Sequence, residues 1–463
     1  MNQEIQWFLH IIETNKLLSK EEIVYLYKSL HETNITLDEC AQAALDIKTD
    51  SITSEEEANT IVKSFEEARL TAIAKAVQNT PIPQITQTGT KKMNDCFETA
   101  SSLSEEDTKY FLKTLLSDLK KNGTSDLHIS AGAVPFVRKS LKTERISNTL
   151  ITPDLSAKLN TAFLDHQQML SFSNDKALSY CLSFSEKERY RVSLINQKDG
   201  ISGSYHIVPG DIQPLKQLGF SEANIAAIEY FLSHHNGLIL VTGPIGNGKT
   251  TTLASLVDIL NKNRKDHIIM IEHPIEIVQS SLSCNVTQRE VKKHTAAYSS
   301  AIRAALREDP DIIVIGELSD LETIEIAITA SETGHIVIGT MQTGDATNTM
   351  NRIINIFPPL QQPQIRAMLA GSLRGIICQR LLPAKNEGVT LAAEIMVNTL
   401  AISNTINEGK MHLLKQTIQT STKSGMISMD ASILSLYTAG KISKETALQN
   451  VTDKKNYEKL ITG

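Results

Sequence analysis

The stretch GLILVTGPIGNGKTTTLASLVDILNK, residues 237–262, decides the fold class of this chain. Its opening residues predict a buried strand, its closing residues predict a helix, and between them lies the pattern G-x-x-x-x-G-K-[ST]. Glycines in such a loop let successive backbone N–H groups point inward around phosphates, and the start of the helix adds the positive end of its dipole. The pattern and both flanks together indicate a P-loop.

The P-loop carries the expected nucleotide chemistry. Lys249 supplies a positive charge for the β- and γ-phosphates, and the Thr250 hydroxyl is placed to hold Mg²⁺, so ATP and Mg²⁺ are the expected cofactors. The residues of this segment expected to bind nucleotide are Gly243, Pro244, Ile245, Gly246, Asn247, Gly248, Lys249, Thr250 and Thr251.

A second acidic position follows the P-loop. The run ALREDPDIIVIGE (305–317) predicts a helix end, a turn and a buried strand that ends at Glu317. A carboxylate at the carboxyl end of a strand beside a P-loop is well placed to hold Mg²⁺ or to orient the attacking water. The other interpretation of Glu317 is a solvated acid at a strand end.

Composition limits the function classes. A chain of 463 residues with 41% hydrophobic and 21% charged residues is typical of a globular protein with two or three domains. A net charge of −6 and 5% aromatic residues argue against a nucleic-acid partner. Five scattered cysteines without a C-x-x-C pair predict free thiols and no zinc site. The start of the chain resembles no signal peptide and no long apolar run occurs, which predicts a cytoplasmic protein without a membrane span.

Sequence patterns divide the chain into five parts. Three capping boxes, Ser19 with Glu22, Thr36 with Glu39 and Ser54 with Glu57, predict an acidic helical unit at the start. A further box, Ser104 with Asp107, predicts the start of a helix that runs to about Lys120. Strand-like runs around a helix near 153–170 then predict an α+β domain with an antiparallel sheet, and strands alternating with helices from about 232 predict a parallel sheet. The predicted parts are a helical extension (1–80), a linker (81–104), the α+β domain (105–210), the ATPase core (220–357) and a mostly helical region (358–463).

Further motifs resemble the PilT-like retraction ATPases of the type II/IV secretion superfamily. The resemblance spans about 105–450 and implies a RecA-like P-loop domain preceded by a PAS-like α+β domain, closing into a homo-hexamer with ATP between the two domains. The motifs are SDLHISAG (125–132), IIMIEHPIEIVQ (268–279), QREV (288–291), AIRAALREDPDIIVIGE (301–317), LETIEIAITASETGHIVIGT (321–340), SLRGIICQRLLP (372–383) and ISNTINEGK (402–410).

The same resemblance implies roles for single residues. Glu272 matches the first acid of the family's acidic box and is a candidate general base, whereas Glu276, its last acid, equally fits a surface or capping role. His335 matches the first histidine of the His box, which couples nucleotide to the sheet, although a structural histidine fits as well. Arg189 and Arg191 match PAS-like arginines that reach the phosphates, often from a neighbouring subunit. Glu272, Glu317 and Lys249 are therefore the expected catalytic residues.

Several positions depart from the family pattern. Gln342, which replaces the second histidine of the His box, can hydrogen-bond to phosphate or water but carries no charge. An arginine finger is worth ~10³ or more in rate, so a missing arginine requires a substitute, for which Lys198 is the nearest candidate. The altered positions are Asp199, His206, His273, Ser319 and Gln342.

The function predicted from these motifs is a hexameric ATPase motor for type IV pilus retraction. It would act on an inner-membrane platform protein, peripherally at the cytoplasmic base of the pilus. One alternative is a weakly active or inactive nucleotide-binding paralogue that regulates a motor together with a related ATPase. Another is a pilus assembly or type II secretion ATPase, against which the missing cysteine module and the NEGK segment argue. A nucleic-acid motor is disfavoured by the net acidity and scarce aromatic residues.

Overall fold

The computed structural model describes residues 100–386 and 388–454, together with short stretches nearer the amino terminus. The chain divides into two compact units, Met1–Gln84 and Ile85–Gly463. None of the described helices is both long and apolar enough to cross a membrane. The short stretches are 3–15, 17–19, 22–23, 26, 37–49, 62–65, 68 and 97.

The first unit contains helices α1 (Gln3–Thr14) and α2 (Leu37–Thr49). The predicted capping box at Ser19 is confirmed, because the Ser19 N–H donates to Glu22 Oε2 (2.6 Å) and the Glu22 N–H donates to Ser19 Oγ (3.3 Å). The boxes predicted at Thr36 and Ser54, and most of the predicted linker, lie outside the described residues.

An antiparallel sheet forms the first half of the second unit, in the strand order β3-β2-β1-β6-β5-β4. Helix α3 (Glu105–Lys121) leads into it from its predicted N-cap, Ser104. The prediction of a single helix near 153–170 is wrong. This region contains two helices, α4 (Pro153–Thr161) and α5 (His166–Asp175), because Asp165 forms the N-cap of a second helix. The strands are β1 Asp126–Ser130, β2 Phe136–Lys139, β3 Lys142–Arg145, β4 Ala177–Ser185, β5 Glu188–Gln197 and β6 Gly200–Ile207.

A seven-stranded sheet forms the second half, in the order β13-β12-β7-β11-β10-β8-β9. All neighbouring pairs are parallel except β12 with β13. Every residue of β7, β10 and β11 is buried, as is typical of a parallel sheet covered on both faces. The strands are β7 Gly237–Thr242, β8 His267–Glu272, β9 Asn285–Glu290, β10 Ile312–Ile315, β11 Ile336–Met341, β12 Leu373–Pro383 and β13 Val389–Val397.

Helices connect these strands and follow them to the end of the described chain. Helix α8, Lys249–Asn263, begins directly after the P-loop glycine Gly248. The α-helices are α6 Leu215–Leu218, α7 Glu222–Leu232, α8 Lys249–Asn263, α9 Tyr298–Ala305, α10 Leu321–Glu332, α11 Ala346–Asn355, α12 Gln362–Ser372, α13 Leu400–Asn407, α14 Leu414–Thr420, α15 Met429–Thr438 and α16 Lys444–Asn450; short 3₁₀ turns span Met411–Leu413 and Thr422–Ser424.

The prediction of a mostly helical region from 358 onward needs correction. Strand β12 pairs in parallel with β7, the strand that leads into the P-loop, and β13 extends the sheet to Val397. The core sheet therefore continues well beyond residue 357. In a short apolar run, the spacing of apolar residues does not distinguish a buried strand from a buried helix. In the run 373–383, Arg374 and Gln379 also interrupt the apolar pattern, so the sequence did not indicate β12.

The close approach of helix α7 to β12 yields a stability prediction. A Cβ added at Gly375 would overlap the ring of fully buried Phe231. We expect Gly375→Ala to lower the free energy of unfolding by about 1–3 kcal/mol, because a packed core resists added volume. Gly371→Ala, in α12 with open space around its Cβ position, is the matched control and should be neutral or stabilising. Equal urea midpoints for the two variants would contradict this.

Candidate nucleotide site

The P-loop has the backbone conformations that its glycines allow. Gly243 follows β7 with φ of 152°, and a Cβ there would lie 2.5 Å from the carbonyl oxygen of Gln379. Gly248 has φ of 77°, in the left-handed region that glycine adopts without strain, immediately before helix α8. The loop thus turns sharply from the sheet into the helix, so the amino end of the helix faces the same space as the loop.

Lys249 lies inside the loop it belongs to. Its Nζ donates to the carbonyl oxygens of Gly243 and Pro244, both at 2.9 Å. Burial lowers the pKa of Lys249 and nearby Arg191 lowers it further, whereas Glu317 opposes this shift. The ammonium is therefore held among backbone acceptors beside a carboxylate, where phosphate oxygens would compete for its donors.

The loop is fastened to β12. The Asn247 side-chain oxygen accepts from the N–H of Leu381 (2.7 Å), and its Nδ2 donates to the carbonyl of Ile245 (3.1 Å). Gln379, which is buried, faces the same loop. Asn247 therefore has a structural role in shaping the P-loop, which its position in the sequence pattern does not reveal.

Glu317 and Gln342 meet at the carboxyl edge of the parallel sheet. Gln342 Nε2, just after β11, donates to Glu317 Oε1 at 2.7 Å. Glu317 follows β10 and is close enough to Lys249 to raise the pKa of that ammonium. The structure thus brings Lys249, Glu317 and Gln342 together, at the edge where ligands bind in open α/β sheets.

Glu272 ends β8 and is only 5% exposed. Burial raises its pKa to about 8, and the nearby carboxylates of Glu276 and Glu290 add to this, whereas the hydrogen bond from Gln288 and the charge of Arg189 oppose it. Gln288 Nε2 donates to Glu272 Oε1 at 2.8 Å. A carboxylate with a pKa near neutrality is suited to accept a proton from water.

Arg189 and Arg191, both on β5, bind the loop that follows Glu272. Arg189 donates to the carbonyl oxygens of Ile275 and Glu276, both at 2.8 Å, and Arg191 donates to Glu276 Oε1 at 2.8 Å. Glu276 is buried, so the surface role considered for it is wrong. In this structure the two arginines join the antiparallel sheet to the ATPase sheet of their own chain.

His335 does not join this cluster. It precedes β11, and its carbonyl accepts from the N–H of Gly237 at the start of β7. The P-loop follows the other end of β7, six residues away, a separation of about 20 Å at ~3.3 Å per residue. His335 therefore lies far from the P-loop of its own chain, and its ring bonds locally to the Ala330 carbonyl (3.1 Å). Its role in coupling nucleotide to the sheet stays a prediction.

Two of the substituted positions discussed here, His206 and Asp199, have local side-chain partners in the structure. His206 Nδ1 lies 2.8 Å from Asp126 Oδ1 within the antiparallel sheet, and Asp199 pairs loosely with exposed Lys198 at 3.8 Å. His273 Nδ1 is buried without a hydrogen-bond partner, and burial lowers the pKa of the ring. Ser319 is exposed beside Asp320, the N-cap of α10.

Two residues near the glutamates were missed at the sequence level. Gln288 belongs to the QREV motif, which had no assigned role, although a glutamine inside a motif near the acidic box was an available signal. Tyr298 starts helix α9; burial raises its pKa, and the charges of Glu317 and Glu272 raise it further, so its phenol is near both acids. No sequence pattern pointed to Tyr298.

Comparison with known proteins decides the family. The family described as "Type II/IV secretion system protein" matches residues 208–460, more than half of the chain. This chain belongs to that family. The type IV pilus retraction ATPase PilT of Pseudomonas aeruginosa is 38% identical over 343 residues, which cover 74% of this chain and 98% of PilT.

Two further comparisons agree. The type IV pilus ATPase PilU of Pseudomonas aeruginosa is 31% identical over 335 residues, covering 72% of this chain and 87% of PilU. A crystal structure of the pilus retraction motor PilT with bound ADP is 35% identical with a TM-score of 0.63, covering 75% of this chain and 98% of that one. The predicted resemblance, the α/β fold class and the P-loop ATPase class are confirmed, and membership implies nucleotide binding.

The buried acid at the end of β8 predicts a pH-dependent stability. Between the ordinary glutamate value of 4.5 and about 8, the folded protein retains a proton at Glu272 that the unfolded chain releases. Stability conferred by this site therefore falls as pH rises through that range. We expect Glu272→Gln to gain stability relative to the unaltered protein by roughly 1 kcal/mol per pH unit between pH 5 and 8.

Urea unfolding at pH 5, 6.5 and 8 measures this difference. Glu332→Gln, at an exposed glutamate, is the matched control and should show a difference that does not vary with pH. A pH-independent difference for Glu272→Gln would contradict the assignment of the retained proton to Glu272.

Proposed function

We propose that this protein is an ATPase motor that couples ATP hydrolysis to retraction of a type IV pilus. The observation that carries the proposal is the 38% identity to PilT across 98% of that retraction ATPase. The cluster of Lys249, Glu317 and Glu272 at one edge of the sheet supports it. The motor would work as a homo-hexamer at the cytoplasmic face of the inner membrane, on a platform protein. Its working parts would be the PAS-like domain (105–210) and an ATPase core that begins near residue 220.

Nucleotide binding would use donors that are already gathered at the loop. Lys249 would exchange the neutral carbonyl oxygens of Gly243 and Pro244 for anionic phosphate oxygens, so that both partners of each hydrogen bond carry a charge and the bond is stronger. The residues present fit a magnesium ion, since Thr250 lies in the first turn of α8 and Glu317 lies beside Lys249. When bound, Mg²⁺ would neutralise charge that develops on the phosphates.

Hydrolysis would use Glu272 as the base that accepts a proton from water. Gln342 would hold Glu317 in place through the 2.7 Å hydrogen bond. Its neutral amide would serve as the donor at the position where the family has a histidine. Phosphate release would then loosen the contact of Arg189 and Arg191 with the 275–276 loop and let the antiparallel sheet move.

A nucleotide-binding paralogue that regulates an active motor is the second candidate. Arg189 and Arg191 both bind residues 275–276 of their own chain, in the loop that follows Glu272, and Asp199 and His206 offer no arginine in their place. With such an arrangement the protein would bind ATP tightly and release phosphate slowly, and its partner would be a related, active ATPase.

Steady-state phosphate release by the purified protein with Mg²⁺-ATP tests both candidates. We expect turnover that falls at least ~100-fold in Lys249→Ala, because the charge on the transferred phosphoryl group loses its cation. Lys262→Ala, at an exposed lysine of the same helix, is the matched control and should retain activity. ATP binding without turnover in an intact ring would favour the regulatory paralogue.

Retraction itself needs a test in cells. In a piliated bacterium that lacks its retraction ATPase, we expect this protein to restore surface twitching, and Lys249→Ala to fail. Restored pilus assembly in a strain that lacks its extension ATPase, with no effect on retraction, would overturn the assigned direction.

A further inference from the structure

Strand β9, which carries most of the QREV motif, contacts the loop that follows Glu272 through side chains as well as backbone. Glu290 Oε2 accepts from the N–H of Ile275 (3.1 Å), and the N–H of Val291 donates to the carbonyl of Glu272 (2.9 Å). Gln288, in the same strand, reaches Glu272 itself. Strand β9 therefore binds both the proposed base and the loop that follows it.

The orientation of the Gln288 amide is fixed by backbone partners. Its Oε1 accepts from the N–H of Gln279 (2.9 Å), and its Nε2 donates to the carbonyl of Ile277 (3.0 Å). A backbone N–H only donates and a carbonyl only accepts, so the amide has one possible orientation. Its remaining N–H therefore points at Glu272 Oε1, 2.8 Å away, as a donor.

This donor selects one carboxylate oxygen. Among the described residues no side chain or backbone N–H bonds to the second oxygen, Glu272 Oε2. The pair is stiff because Gln279, which anchors the Gln288 oxygen, is itself buried and bonded through Nε2 to the Ala254 carbonyl (2.9 Å) at helix α8. The arrangement connects the P-loop helix to the acid through two glutamines.

We propose that Gln288 is a positioning residue for ATP hydrolysis: it fixes Glu272 through Oε1 and leaves Oε2 to accept the proton of the attacking water. This inference rests on the proposed function, and it adds a role for a residue of β9. A donor to the carboxylate also favours its charged form, which a base requires.

The surroundings of Glu272 show why such a donor matters. The groups that face it are carboxylates of Glu276 and Glu290, the phenol of Tyr298 and the guanidinium of Arg189. The two carboxylates and burial favour the neutral acid, while Arg189 opposes them and already serves two backbone carbonyls. Gln288 is thus the direct hydrogen-bond donor that offsets the burial of Glu272.

The test is the pH dependence of ATP turnover in Gln288→Glu and Gln288→Met. We expect the acidic limb of the kcat profile to move upward by about one pH unit or more in Gln288→Glu, because a carboxylate replaces the donor. Gln288→Met, which removes the donor without adding charge, should move it less and in the same direction. KM for ATP should change by less than about twofold in both variants.

Gln217→Glu, the same exchange at an exposed position, is the matched control and should leave the limb in place. An unmoved limb in both Gln288 variants, or a rise in KM that accounts for the whole loss of kcat/KM, would overturn the proposal. Thermal melts of both variants separate loss of positioning from loss of folding, and Gln288→Met decides the question where Gln288→Glu does not fold.

A readout without turnover separates this inference from the proposed function. Infrared difference spectra follow the protonated carboxyl band of Glu272, assigned by its loss in Glu272→Gln, across a pH titration of the nucleotide-free protein. We expect the midpoint to rise in Gln288→Glu. An unchanged midpoint would overturn the inference even where ATP is hydrolysed, and a risen midpoint in a protein without turnover would overturn only the proposed function.

Discussion

The rest of the site depends on how the chain holds the loop after β8. Gln288 and Glu290 of β9 bind this loop from one side, and Arg189 and Arg191 of β5 bind it from the other. These bonds replace the water that the loop would otherwise bind, and they stabilise a buried acid that would be costly without partners. Because the arginines belong to the antiparallel sheet, any movement of that sheet relative to the ATPase sheet strains the segment that carries Glu272.

Local patterns were sufficient for the parts of the fold that are locally determined. The P-loop, the strand before it and the capped starts of helices such as α3 are set by neighbours in sequence, and they were predicted correctly. Strand β12 was missed because its place beside β7 depends on pairing across more than a hundred residues. The burial of Glu272 and its contact with Gln288 were missed for the same physical reason, since both arise only when β9 pairs with β8.

Strand direction explains why only one of two residues from a single motif lies near the P-loop. His335 and Gln342 flank the same strand, β11, so they lie at opposite edges of the sheet. All the parallel strands present their carboxyl ends at the edge where the P-loop begins, and only Gln342 lies there. Two residues that belong to one family motif in sequence can therefore lie at opposite edges of the sheet, and only Gln342 lies near the P-loop.

A buried carboxylate links the nucleotide edge of the sheet to helix α15. Directly after Gln342, the Thr343 hydroxyl bonds to that of Thr349 (2.6 Å), and α11 begins with the Ala346 N–H bonded to Glu394 Oε1 (2.8 Å). The other oxygen of Glu394 accepts from Met429 at the start of α15 (3.2 Å). Leaving either donor unpaired in the interior costs about 1–3 kcal/mol, so a shift of one helix start favours a matching shift of the other. The position of Glu317, held by Gln342, is in this way tied to helix α15, which begins more than a hundred residues further along the chain.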